Sequence, residues 1–331
     1  MPCYRSLSAR LYAGEMLMML SVLAPVAPLL RAQSGTPNVT QTAIADSNHN
    51  GLVSPGAVAV DTDENIFIAD TGNNRVVEEP WNSSTKAYGA QTVLAGNLFN
   101  PHSAAVNASG DVFVADTGNN RIIEIPWNRT SKTFGALTEI GSGFDSPHGV
   151  AVAATGDVYI ADTGNDRVVE VPWDRAKQTF GAQITVAANL LQPEAVAVGS
   201  GGKVYIVNLG NSGVVEVPAG CSAATSCTSQ TTVASQQNNG LANPTGVAVG
   251  PTGNLYIADT GNNRVILLPW TPSTNAYGAQ KEIGSQLVGP EGVALNAMGN
   301  VYIADTGNNQ VIKIAQSSSS PHNRGGFRMR P

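Results

Sequence analysis

The chain has 331 residues with 18 Lys or Arg against 24 Asp or Glu, a net charge of −6, and it contains 35 Gly. From Gln33 to Ala315 the imbalance sharpens to 12 basic against 23 acidic residues, with no basic run. A phosphate-binding face needs clustered cations, so this balance argues against nucleic acid as a partner.

The first segment carries Arg5 and Arg10, an apolar stretch from Met16 to Leu30, and then Arg31-Ala32-Gln33 leading into polar sequence. That order is a secretory signal, and with Pro25 and Pro28 inside it the stretch is short for a membrane span. A signal peptide over residues 1–32, processed near Ala32, predicts an exported protein of bacterial type, secreted or periplasmic. No span is left once the signal is removed; an uncleaved anchor is the alternative.

Beyond the signal, the chain is one unit written six times. Ala69-Asp70-Thr71-Gly72-Asn73-Asn74-Arg75-Val76 recurs from Ala115, Ala161, Ala258 and Ala304, and in eroded form from Val207. The leading Asp, or Asn208 in its place, falls at 70, 116, 162, 208, 259 and 305, a period of 46 residues with one step of 51. A fixed period in this range marks a repeat architecture. In the third unit, Gly149–Val152, Val158–Asp162, Arg167–Val171 and Ile184–Val186 are short runs rich in β-branched residues, each bounded by Gly, Asn, Asp or Pro. Four antiparallel strands per unit and no helical periodicity predict an all-β, six-bladed propeller over residues 33–316.

The two ends fit each other. The sixth unit stops after its third strand, Val311–Ile314, whereas Thr40–Ala45 ahead of the first unit matches the outer segment Leu137–Gly141. The N-terminal strand is therefore expected to complete the last blade and close the ring. Residues 317–331, a run of Ser, Gly and Arg, are expected to be a disordered tail.

After the third strand of four units stand Trp81, Trp127, Trp173 and Trp270, each followed by an aromatic at Tyr88, Phe134, Phe180 or Tyr277. Lying one per blade at the rim, these pairs are expected to clip an outer loop. The fourth unit lacks both members but has Cys221 and Cys227. In an exported chain that loses Cys3 with its signal, these two predict a local disulfide in place of the aromatic clip.

These repeats resemble the NHL family of six-bladed propellers, whose consensus has a Gly-Val-Ala-Val strand, a Gly-Asn-Val-Tyr-Ile-Ala-Asp strand and an Asn-Asn-Arg-Val strand. The resemblance runs from about Pro55 to Ile314. It implies the fold, but not one function, because the family includes RNA-binding, protein-binding, sensor and metal-dependent enzyme domains.

Two sets of residues are candidates for chemistry. The repeated pairs Asp70 with Arg75, Asp116 with Arg121, Asp162 with Arg167 and Asp259 with Arg264 suit a structural role, the Asp bonding turn amides while pairing with the Arg opposite. Copied this often, they cannot all be one active site. The second set varies within an otherwise copied unit: after the Pro that opens each first strand come Gly56, His102, His148, Glu194, Thr245 and Glu291. In a propeller the first strand lines the central channel, so these six are expected to form a binding ring at one mouth, on the face that carries the Thr-Gly-Asn-Asn turns. The expected role of this ring is a polar channel lining with no cofactor; as the alternative, His102, His148, Glu194 and Glu291 are suitable donors for a divalent metal, zinc or calcium.

Pro101-His102-Ser103 and Pro147-His148-Gly149 also resemble channel motifs of the peptidylglycine amidating lyase and the streptogramin B lyase. In the former, such histidines hold a catalytic zinc, and the resemblance implies that role for His102 and His148. That lyase draws three histidines from alternate blades; here blades two, four and six offer His102, Glu194 and Glu291. With no further catalytic side chain identifiable, the sequence is assigned as a monomeric, non-catalytic binding scaffold for a protein or glycan partner. A metal-dependent lyase or hydrolase is the alternative.

Overall fold

The computed structural model describes residues 40–220 and 230–315. The signal segment 1–32, Cys221 with Cys227, and the tail 317–331 lie outside the described residues.

Six four-stranded antiparallel sheets make the propeller. The first blade runs from the inner strand Pro55–Val60 through Ile66–Asp70 and Arg75–Glu79 to the outer strand Thr92–Ala95. The next four blades repeat that order, and in the sixth, Thr40–Asp46 pairs antiparallel with Gln310–Ala315, from Thr40 opposite Ala315 to Asp46 opposite Gln310. The ring is thus closed by strands from both ends of the propeller sequence. The 51-residue step accommodates a single helical turn, Gln236–Asn239, whose Ser235 side chain accepts from the Asn238 amide.

The second strand of every blade is wholly buried, as Ile66–Asp70 and Val301–Asp305 illustrate, because sheets stacked face to face cover it on both sides. The apolar core therefore lies between blades rather than within them. Across the closure, Ala45, Leu52, Val58, Ile66, Ile68 and Val77 pack with Tyr302, Ala304 and Val311. Beyond the third strand, the polar loop foreseen from sequence contains a small ribbon, such as Trp127–Asn128 paired with Thr133–Phe134, and its Trp127 and Phe134 ring centroids are 4.6 Å apart.

The Thr-Gly-Asn turns are single 3₁₀ turns, closed by a left-handed residue such as Asn74 at φ 54°. Asn tolerates that conformation better than most side chains. Gly72 is required by close approach, since a Cβ there would lie 2.7 Å from the Val53 carbonyl oxygen. The Asp before the turn is fully buried in five blades. Its partner differs from the turn amides expected from sequence. Asp70 Oδ1 accepts from the Val53 amide, in the loop ahead of the inner strand, at 2.8 Å, and Oδ2 accepts from Asn73 Nδ2 and Arg75 Nε at 2.9 and 2.6 Å. Asn208 keeps the amide bond, to Leu191 at 2.6 Å, and Gln310 replaces Arg by donating to Asp305 at 2.7 Å.

In five of the six blades the turn also grips the next blade. Thr71 Oγ1 donates to the Pro101 carbonyl at 2.7 Å, and Asn74 Oδ1 accepts from the Asn100 amide at 2.7 Å. The same pair of bonds crosses the closure, from Thr306 to Pro55 and from Ser54 to Asn309.

Because Asn208 preserves the amide acceptor without the charge, Asp162→Asn is expected to cost about 1 kcal/mol, and Asp162→Ala about 3 kcal/mol through the orphaned Asp145 amide and Arg167. Chemical denaturation of both variants checks this; equal losses would show that the ion pair, not the amide, is the main contribution.

Candidate functional site: the channel mouth

A bulge at the start of the inner strand in five of the six blades builds the site. Pro101 pairs with Asp116 and Ser103 with Ala115, leaving His102 between them without a partner in the ladder. The same irregularity isolates Gly56, His148, Glu194 and Glu291. Proline has no N–H to give, and a bulge re-aims the extra residue. Thr245 lies just ahead of the strand Gly246–Val249 and its amide donates to the Ala258 carbonyl at 3.1 Å.

All six positions line one cavity of about 100 Å³ on the propeller axis, with Ala57, Val58 and their counterparts deeper in the channel. They are not equivalent chemically. Gly56 contributes no side chain, and a Cβ there would stand 3.5 Å from Glu291 Oε2. Thr245 Oγ1 is engaged with Thr260 Oγ1 at 2.6 Å. Donor atoms of His102, His148 and Glu194 come within 4.8 Å of one another, and Glu291 is not in that group. These three donors come from consecutive blades, two, three and four, and not from the alternate blades that the amidating lyase uses.

The electrostatics suit a ligand set. The rings of His102 and His148 have centroids 4.5 Å apart at 57°. His148 Nδ1 is 3.2 Å from Glu194 Oε2, yet it is buried without a hydrogen bond, because the contact is poorly aligned. Burial, reinforced by His148, lowers the His102 pKa to about 4, so its imidazole is neutral at physiological pH. Burial, reinforced by Glu194, pushes Glu291 up to about 7. A neutral imidazole, an unpartnered ring nitrogen and a nearby carboxylate are what a divalent transition metal requires.

The repeated Asp and Arg residues sit away from this cavity, at the turns. Arg75, Arg121, Arg167 and Arg264 each donate through Nε to the preceding Asp at 2.6 or 2.7 Å, while their side chains remain 21 to 33% exposed. The sequence placed the six ring residues by position, but nothing in it marked the bulge that turns them inward.

The NHL repeat pattern matches residues 100–124, 144–170, 241–266 and 287–314, which are the inner three strands of blades two, three, five and six. No curated protein matches the chain. Among solved structures, a gluconolactonase from Xanthomonas campestris is similar at 14% identity and a TM-score of 0.62, over 83% of this chain and 89% of that one. A streptogramin B lyase aligns at 14% identity and a TM-score of 0.57, over 84% and 97% of the two chains. A nidogen/laminin complex contains a chain similar at 17% identity and a TM-score of 0.57, over 74% and 85%. At these identities the likeness carries the fold alone. No helix among the described residues is long and apolar enough to cross a membrane.

The raised Glu291 pKa has a definite sign. Between about pH 4.5 and 7 the folded protein holds a proton that the unfolded chain gives up, so stability falls as pH rises through that window. His102 acts in the opposite direction, costing stability as pH falls from its ordinary 6.5 towards about 4. In chelator, Glu291→Gln is expected to gain about 2 kcal/mol over wild type between pH 4.5 and 8, discounting the shift for the open mouth. Melting curves across that range test it, and a pH-independent difference would contradict burial as the cause.

Proposed function

We propose that this NHL-repeat propeller works after export as a binding platform for a protein or glycan partner, with a divalent cation held at the channel mouth by His102, His148 and Glu194. The observation that carries this reading is the set of three donors within 4.8 Å. Two imidazoles and one carboxylate suit zinc better than calcium, which takes six to eight oxygens. A tetrahedral zinc with bonds of about 2.0–2.1 Å needs donors roughly 3.4 Å apart. His148 and Glu194 already meet that spacing at 3.2 Å.

Three protein donors leave a coordination position for an oxygen or nitrogen of the partner. The closed ring holds the surrounding turns in fixed positions, so little conformational entropy is lost on docking.

The donor set also supports a second reading. Two His and one carboxylate with an open position is an arrangement that catalytic zinc uses, where the ion supplies Lewis acidity and an acidified water. Under that reading the chain is a metal-dependent lyase or hydrolase. The gluconolactonase and the lyase among the similar structures give the substrates to try first, a sugar lactone and a streptogramin B.

Elemental analysis and calorimetric titration of the full chain, with His102→Ala/His148→Ala as control, test the proposal. One zinc per chain, lost in the double variant, is expected, with wild type stabilised by about 2.7 kcal/mol at a hundredfold excess of zinc over its dissociation constant. A protein that takes up no stoichiometric metal and melts identically with zinc or chelator would overturn it. Lactone or streptogramin turnover that disappears in the double variant would select the enzyme reading.

A further inference from the structure

On the face opposite the channel mouth, four blade junctions form a groove between the third strand of one blade and the aromatic ribbon of the next, the ribbons belonging to blades one, two, three and five among the described residues. Strand register fixes which residue enters each groove. Glu78 stands opposite Phe67, Glu124 opposite Phe113, Glu216 opposite Tyr205 and Lys313 opposite Tyr302.

In two grooves the protein fills this place with its own ammonium group. Between blades four and five, Lys203 Nζ lies 2.8 Å from Glu216 Oε1 and 5.3 Å from the ring centroid of Trp270. Between blades six and one, Lys313 Nζ lies 2.9 Å from Glu64 Oε2 and 5.0 Å from the ring centroid of Trp81. A cation between a carboxylate and an indole face gains from both, and more as water is excluded.

The grooves between blades one and two and between blades two and three have the carboxylate and the indole but no such cation. Glu78 and Trp127 line a cavity of about 350 Å³, and Glu124 and Trp173 one of about 430 Å³. Glu78 and Glu124 make no hydrogen bond or ion pair among the described residues. Burial, with Asp61 and Asp111 nearby, raises both carboxyls above their ordinary range. Arg129 and Lys132 line the first cavity and Arg175 the second, but none of them pairs with the carboxylate or the indole: Arg129 donates to the Ala108 and Ser109 carbonyls, Arg175 to those of Ala154 and Thr155, and Lys132 is exposed.

We infer that each of these two grooves binds a primary ammonium group, the lysine side chain of a protein partner, seated between Glu78 and Trp127 or Glu124 and Trp173 as Lys203 is between Glu216 and Trp270. The acidic balance of the propeller favours a basic partner by the same sign of charge. The grooves open on the face away from the channel, so this inference stands whether or not a metal is bound there.

The test uses the full chain and a capped Gly-Lys-Gly peptide, followed by NMR of the tryptophan indole N–H signals. Saturable shifts are expected for Trp127 and Trp173, with Trp81 and Trp270 unmoved. Glu78→Gln and Glu124→Gln, verified as folded by melting, are expected to weaken binding at their own groove by at least about tenfold. The same peptide with Nε-acetyllysine should not bind, a comparison that needs no variant, and Lys203→Ala should add Trp270 to the responding signals. Unmoved Trp127 and Trp173 signals, or equal binding of the acetylated peptide, would overturn the inference.

Discussion

A buried carboxylate at the end of the second strand in five of the six blades holds the propeller in register. Asp70 and its counterparts have no exposure. A charge in that position persists only when every lone pair is used. One oxygen accepts from the loop ahead of the blade's own inner strand, and the other from the Asn and Arg of the turn. The turn's Thr and left-handed Asn then bind the following blade. Each unit is thereby fixed both to its own loop and to its neighbour, so the six inner strands start at the same height around one axis. Blade four marks the limit of this device: Leu209 replaces the Thr, and Asn208 retains only the amide bond among the contacts of the Asp.

That common height brings six scattered residues to the lining of one cavity. In five blades a bulge after the opening Pro directs the variable residue towards the axis, and the constant residues around it leave little room for adjustment. A Cβ on Gly149 would come 2.8 Å from the Ala195 Cα, so the inner strands of neighbouring blades are packed backbone to backbone. In so narrow a mouth, charges cannot be hydrated independently. His102 loses its proton readily and Glu291 keeps one, which is how a cluster of acids and bases reaches a tolerable charge without an ion.

The repeat, the strands, the blade count and the closure by Thr40–Asp46 were legible in the sequence, because each rests on a pattern copied many times. The ring positions were legible as well, since variation at Gly56, His102, His148, Glu194, Thr245 and Glu291 stands out against copied neighbours. What escaped was geometry without a local pattern. The amide bound by Asp70 lies 17 residues upstream, and the ribbon strands at Trp127 and Phe134 are only two residues long, too short for alternation to show. The convergence of consecutive blades on His102, His148 and Glu194 depends on bulges, and Thr245 is withdrawn by a partner, Thr260, that no spacing rule identifies. The lysine-filled and open grooves likewise needed the register of third strand against neighbouring ribbon.

The two faces of the wheel therefore differ in kind. One gathers unlike residues at a single central point, and the other repeats a carboxylate-indole groove around its rim, closed by lysine at Lys203 and Lys313 and open beside Glu78 and Glu124. The most direct measurement of the central convergence is anomalous diffraction at the zinc edge from a zinc-soaked crystal of the full chain. A single peak on the propeller axis within bonding distance of His102, His148 and Glu194 is expected. Zinc density only elsewhere, with these three side chains turned apart, would contradict the shared mouth on which the proposed function rests.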